Sequence, residues 1–331
     1  MILYKHHVAQ LGSEANERKL LKSAIHRGEK LGFSTCLKSL SAFPPTLVWK
    51  FLWLIGRFFN RSDSMAIKSY QNQAELLVRD YLLADPFVPY TSVLGGIFAC
   101  KMAYDVSQLI SSFYFKSYAA LTKIQRIEWN NRGISTLHAI FITIMSLYFV
   151  IFSDLFSDRR LAGLVIFRSS PLSTFVLGVS VGYFLSDLGM IFWLYPSLGG
   201  MEYVLHHFIS VTSVAYSMLT GEGQLYTFMV LISEATTPGI NLRWYLDTAG
   251  MKRSSAYLMN GVAIFFAWLV ARVLLFFYIF YDVYLHSYQV NQMQPFGRLL
   301  VYGVPSVLAT MNLIWFAKIV KGLKKTLAKR Q

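Results

Sequence analysis

Six ionisable side chains interrupt the long apolar runs of this chain: His138, Asp187, the adjacent His206 and His207, Glu234 and Arg272. In hydrocarbon each such group costs about 3 kcal/mol or more unless it faces a partner, water or the interior of a bundle. An imidazole facing a carboxylate has its tautomer fixed and its basicity raised, as general-base or nucleophilic acyl transfer requires. One of His206 and His207 facing Asp187 is therefore a candidate catalytic set. The alternative is a pair that only neutralises a buried charge. Successive helical residues point about 100° apart, so the two histidines are poorly placed to share a metal, and no metal site is expected. Cys36 and Cys100 are too far apart in sequence for a CxxC site or a disulfide framework.

A second group has the character of ligand recognition. Glu234 opens the run EATTPGINLRWYLD, in which Pro238 and Gly239 predict a kink or break inside an otherwise spanning segment. Broken helices line cavities, because carbonyls released from a helix need partners other than lipid. Asn241 and Arg243 follow the break, and Arg243 suits a lipid phosphate or carboxylate as well as an ordinary positive flank. Trp129, Arg132 and His138 form a further set. Trp129 reads as an interfacial anchor and Arg132 as a flank, whereas His138 is deeper and reads as a cavity group or a hydrogen-bonded core histidine. The candidate lipid-binding residues are thus His138, Glu234, Asn241, Arg243, Arg132 and Trp129. Lys101 and Asp105 lie four apart, which predicts a neutralised pair on one helix face.

These residues need elements to hold them, and composition says which. The 331 residues are 55% apolar and only 15% charged, with a mean hydropathy of +0.44. A soluble domain carries about 25% charge, so the chain reads as an all-α, polytopic membrane bundle. The net charge of +14 sits in short clusters between apolar runs rather than on one folded face, which excludes nucleic acid as the expected partner. A crossing needs about 20 apolar residues. Seven stretches qualify, roughly 90–114, 134–153, 172–195, 203–220, 224–246, 256–281 and 299–319, and turning their ionisable groups inward makes a central polar cavity. With the C-terminus in the cytosol, thirteen Lys/Arg fall inside and six outside, with Arg159, Arg160 and Arg168 as the discordant loop.

Residues 1–64 differ from the rest, with ten Lys/Arg against four acids and an apolar stretch, Phe43 to Phe59, broken by Lys50 and Arg57. They read as a basic extension that is interfacial, targeting, spanning or a gene-model artefact, followed by a pre-membrane segment at 65–86. The membrane domain is expected over 87–322 and a basic cytosolic tail over 323–331.

WNNRGISTLH (Trp129 to His138), GYFLSDL (Gly182 to Leu188), LHHFISV (Leu205 to Val211), SEATTPGINLRW (Ser233 to Trp244) and NLIWFAKIVKG (Asn312 to Gly322) occur in the order seen in TLC-domain membrane proteins. Over about residues 85–325 the chain resembles that family, and is most similar to plant members resembling TLC domain-containing protein 4. The resemblance implies an all-helical lipid-handling domain of the endoplasmic reticulum or a related membrane, with Golgi and plasma membrane as alternatives. In the ceramide synthases of this superfamily paired histidines serve acyl transfer from acyl-CoA, and His206 and His207 match that pair by position. The synthase signature then continues to an HD-type pair of aspartates, whereas this chain has GEGQLYTFMVLISEATTPGINLRW, which resembles the non-synthase branch. The expectation is a lipid-homeostasis protein that binds a lipid or acyl chain rather than an enzyme, with no cofactor. The alternatives are an acyltransferase taking acyl-CoA as substrate, with Arg132 or Arg243 receiving an acidic headgroup, and a small-solute transporter, motivated by the broken fifth helix.

Overall fold

The computed structural model describes residues 87–157 and 164–328, and all the regular structure there is helical. The basic N-terminal extension, the pre-membrane segment, and Arg159 and Arg160 lie outside the described residues.

Helix α1 (Val88–Tyr114) starts with a proline in its first turn, where a missing N–H costs nothing. Helix α2 (Lys123–Leu147) is opened by a capping box between Thr122 and Gln125, and closes through a wide π turn, Tyr148–Phe152. Helix α3 (Pro171–Trp193) has the same device from Ser170 and Ser173, with Pro171 at its first position. Helix α4 (Met201–Thr220) ends on Gly221 at φ +76°, a left-handed cap that favours glycine. Helix α5 (Gln224–Leu231) then runs into a tight 3-10 turn, Ile232–Thr236, and α6 (Thr237–Thr248) resumes with Pro238 in its first turn. Helix α7 (Ser255–Trp268) is capped by Ser254 and continues through a π turn, Leu269–Leu274, into α8 (Leu275–Leu285). Helix α9 (Pro295–Ala328) closes the domain.

Each of the seven expected passes is therefore a helical rod, but only five are long and apolar enough to cross a membrane: Val88–Tyr114, Lys123–Phe152, Pro171–Trp193, Ser255–Leu285 and Pro295–Ala328. Two histidines and several hydroxyls lower the apolarity of α4, and the 3-10 turn divides α5 from α6. Two boundaries differ from expectation. Helix α2 begins eleven residues before 134, and α9 runs to Ala328, so the basic tail is helical nearly to its end. Both polar stretches stay helical because their side chains find partners or water without unwinding the backbone.

Helix α3 is the central rod. Of its most apolar stretch 61% is buried, against at most 33% for the other four crossing helices. It packs on α1 on one side and α4 on the other. The α1–α3 seam is built from Ser92 and Gly96 on α1 against Gly178 and Gly182 on α3. A Cβ on Gly182 would collide with the Val93 carbonyl oxygen, and one on Gly96 with that of Val179. Small residues four apart let the backbones approach this closely, the usual device of helices packing in lipid.

Candidate functional site

The polar groups converge at one end of the bundle. The start of α2, the end of α3, the start of α4, the α5–α6 junction, the α7 π turn and the late part of α9 surround a cavity of about 510 Å³. Asp187, His206, His207, Glu234, Asn241, Arg132 and Arg272 all line it. Its apolar wall includes Phe184, Ile191, Ile240, Trp268 and Trp315.

Asp187 is a buried carboxylate on its wall. His207 Nε2 lies 3.2 Å from Asp187 Oδ2, and Asn131 Nδ2 donates to Asp187 Oδ1 at 2.7 Å. With Nε2 donating, the lone pair of His207 is on Nδ1, and Nδ1 of both His206 and His207 is buried without a hydrogen-bond partner. The His206 and His207 rings are nearly perpendicular, 5.3 Å apart, and His206 meets the edge of Trp315. Of the two histidines, only His207 is held by Asp187. Among the described residues no group of three or more His, Cys, Asp or Glu is arranged to hold a metal.

The α5–α6 break positions Glu234. The 3-10 turn and the proline together free carbonyls here, and Arg272 takes up one of them: its Nε donates to Ser233 O at 3.2 Å and also to the Thr236 hydroxyl, Oγ1, at 2.8 Å. Its Nη1 reaches Asn312 Oδ1 on α9 at 3.3 Å, and its guanidinium lies over the Trp268 ring. Glu234 Oε1 is 3.6 Å from Arg272 Nη2, while Thr237 Oγ1 donates to Glu234 Oε2 at 2.7 Å. Arg272 is thus a buried cation in the π turn of α7–α8 that ties three rods together. Such a charge is tolerated because it is paired and hydrogen-bonded.

Asn241 lies one turn further along α6. Its amide donates to Arg132 O at 3.1 Å and to the hydroxyls of Ser135 and Thr136, and its oxygen accepts from Arg132 Nη1 at 3.1 Å. Arg132 also pairs with Glu128 at 2.7 Å and lies over Trp244. Three carboxylates (Glu128, Asp187, Glu234) meet three permanent cations (Arg132, Arg272, Lys318) on the lining, so the chamber is close to neutral when its histidines are neutral.

Three candidates sit elsewhere. Trp129 is not at a lipid interface: it is buried, donates to Ser111 Oγ at 2.8 Å, and packs among Phe115, Tyr118, Trp244 and Tyr245. The indole gains more from this polar and aromatic nest than from a headgroup region. His138 stacks on Tyr183 at 3.8 Å and hydrogen-bonds Ser180 Oγ at 3.2 Å, behind the cavity wall rather than on it. Arg243 lines a separate groove. Lys101 and Asp105 do pair, on an exposed face of α1. Asn131, Ser135, Thr237, Trp315 and Lys318 join the lining without having been singled out. For the first two a signal existed, since Glu128, Asn131, Arg132 and Ser135 recur at spacings of three and four, one face of a helix.

The family model described as the TLC domain matches residues 128–321, which begins with the Glu128–Arg132 face and ends just past Lys318. The chain belongs to the TLC domain family. It is similar to TLC domain-containing protein 4 of Homo sapiens, 29% identical over 238 residues, covering 65% of this chain and 85% of that protein. It is similar also to TLC domain-containing protein 4-B of Xenopus laevis, 28% identical over 231 residues, with 68% and 85% covered. TLC domain-containing protein 4 A of Dictyostelium discoideum is 20% identical over 226 residues, again with 68% and 85% covered. No solved structure gives a significant match. Every lining residue named above lies inside the matched TLC segment.

Proposed function

We propose that this TLC protein binds a membrane lipid or its acyl chain in the chamber and serves lipid homeostasis in the endoplasmic reticulum, with the C-terminus and the chamber mouth cytosolic. The observation that carries this reading is the lining itself: an apolar wall of Phe184, Ile191, Trp268 and Trp315 faces fixed, mutually paired polar groups. An apolar pocket with a few placed polar groups is the usual form of a small-molecule site. Family membership supports a membrane role, and the positive-charge count supports the orientation. The test is mass spectrometry of lipids retained by the purified protein after detergent exchange. A defined lipid class should co-purify with the wild type and be lost from Ile240→Trp, which fills the chamber. Retention unchanged by that substitution would remove the chamber as the binding place.

One contact favours acyl transfer as a second reading. His207 held at 3.2 Å by Asp187 has the arrangement of a base with its orienting carboxylate. In that reading His207 Nδ1 takes the proton of the attacking amine or hydroxyl as its nucleophilic atom adds to the thioester carbonyl of an acyl-CoA. The carbon–sulfur bond then breaks, and the coenzyme A thiolate leaves with that proton. Arg132 rather than Arg243 is placed to meet an acidic group in the chamber.

A further inference from the structure

Arg243 and Lys318 stand at a second cavity of about 240 Å³, a groove between α6, α7 and α9 whose other walls include Gly261, Ile264, Ile319 and Leu323. Among the described residues no acidic one lines it. Neither cation has a carboxylate within salt-bridge distance among the described residues, in contrast to Arg132 with Glu128 and Lys252 with Asp247. The Arg243 guanidinium is nonetheless fixed in place. It lies 4.0 Å over the Tyr257 ring, and its only acceptor among the described residues is Tyr257 O at 3.5 Å. It rests in a notch left by Gly261, where a Cβ would come within 2.6 Å of Nη1.

A guanidinium held by an aromatic face and a glycine notch still has most of its five N–H donors unspent. Arg243 is half-buried and Lys318 exposed, and with no carboxylate against either among the described residues the groove keeps a net positive charge beside its apolar walls. The groove lies between the middle of α6, where Arg243 stands, and the middle of α7, where Gly261 and Ile264 stand. Ile264, Ile319 and Leu323 make its apolar walls.

The geometry points to a second lipid site, distinct from the chamber: an anionic phospholipid whose phosphate is taken by Arg243 and Lys318 and whose chain lies along α7 and α9. A planar guanidinium beside a point ammonium suits a phosphate with two free oxygens. Lys318 and Ile319 line both cavities, so this lipid would border the chamber wall.

The test uses the full chain reconstituted in nanodiscs of phosphatidylcholine mixed equally with phosphatidic acid, followed by native mass spectrometry of retained lipid. The wild type should hold phosphatidic acid in preference to phosphatidylcholine. Arg243→Gln should reduce that preference, and Arg243→Gln with Lys318→Gln should abolish at least about tenfold of it, as expected for two cations near a lipid phosphate. Gly261→Leu, which fills the notch while keeping both charges, should weaken it as well. Ile240→Trp, which fills the chamber, should leave it intact, so failure of the chamber reading leaves this site standing. The proposal is overturned if the wild type shows no preference, if the doubly substituted protein keeps it, if only Ile240→Trp removes it, or if inorganic phosphate displaces the lipid at low concentration.

Discussion

Arg132 and Asn241 clasp one another across 109 residues of sequence: the asparagine oxygen accepts from the guanidinium while its amide donates to the arginine's main-chain carbonyl. The same amide reaches Ser135 Oγ at 2.7 Å and Thr136 Oγ1 at 2.9 Å, so a single side chain joins α6 to a whole turn of α2. Asn241→Leu keeps the volume and removes every one of these bonds. It should lower stability by about 2 kcal/mol, because buried donors and acceptors are left without partners. Thermal unfolding in detergent measures this, and an unchanged midpoint would show that the clasp contributes nothing.

Two glycines of the same helix should respond with opposite signs. Gly182→Ala drives a methyl into the α1 backbone at Val93, Gly96 and Ile97, none of which is a flexible side-chain end. A loss of about 1–3 kcal/mol is expected. Gly189→Ala meets nothing within 4 Å and should stabilise by about 0.5–1 kcal/mol through helix propensity. Melting temperatures of the two variants, compared side by side, decide the matter.

Removing Arg272 alone should be worse than removing it with its partner. Arg272→Met strands Glu234 and leaves the Ser233 carbonyl and Asn312 Oδ1 with fewer donors, at a cost of about 3–5 kcal/mol. Adding Glu234→Gln should recover part of that loss. A double-mutant cycle on unfolding free energies gives the coupling, and strictly additive losses would refute it.

For acyl transfer His207 and Asp187 should act as a pair. With labelled acyl-CoA and candidate amines or lysolipids, turnover is expected to fall by about 10² or more in His207→Ala, consistent with loss of a general base. Asp187→Asn should lower it too, by leaving the tautomer unfixed. Turnover that survives both substitutions would take the pair out of the chemistry, and no turnover with any substrate would leave lipid binding as the function.

Much of this site was legible in the chain because hydrocarbon makes ionisable residues conspicuous. Asp187, His206, His207, Glu234 and Arg272 come from four rods, and all reach one chamber. The break near Pro238 was legible as well, although the backbone tightens earlier, at Ile232–Thr236, because proline is well accommodated in the first turn of α6. Trp129 was misleading: aromatic residues near charges also describe an interfacial anchor, and nothing local reveals Ser111 as the partner of its indole. His138 was ambiguous for the same reason, since Tyr183 and Ser180 are distant in sequence. The π turns at Tyr148–Phe152 and Leu269–Leu274 carry neither proline nor glycine and left no mark in the residue types.

The second of those wide turns carries a consequence for how the chain tolerates change in length. A π turn is an α-helix that has taken in one surplus residue, so α7 and α8 keep their faces although the count between them is one too many. Deleting a single residue there, Val270 for instance, should heal the helix into regular winding without rotating either flank. The cost would fall on Arg272, whose reach toward Ser233 and Asn312 depends on the bulge. This rod is therefore built to lose one residue and still fold, but not to lose it and still hold its two neighbours by the same hand.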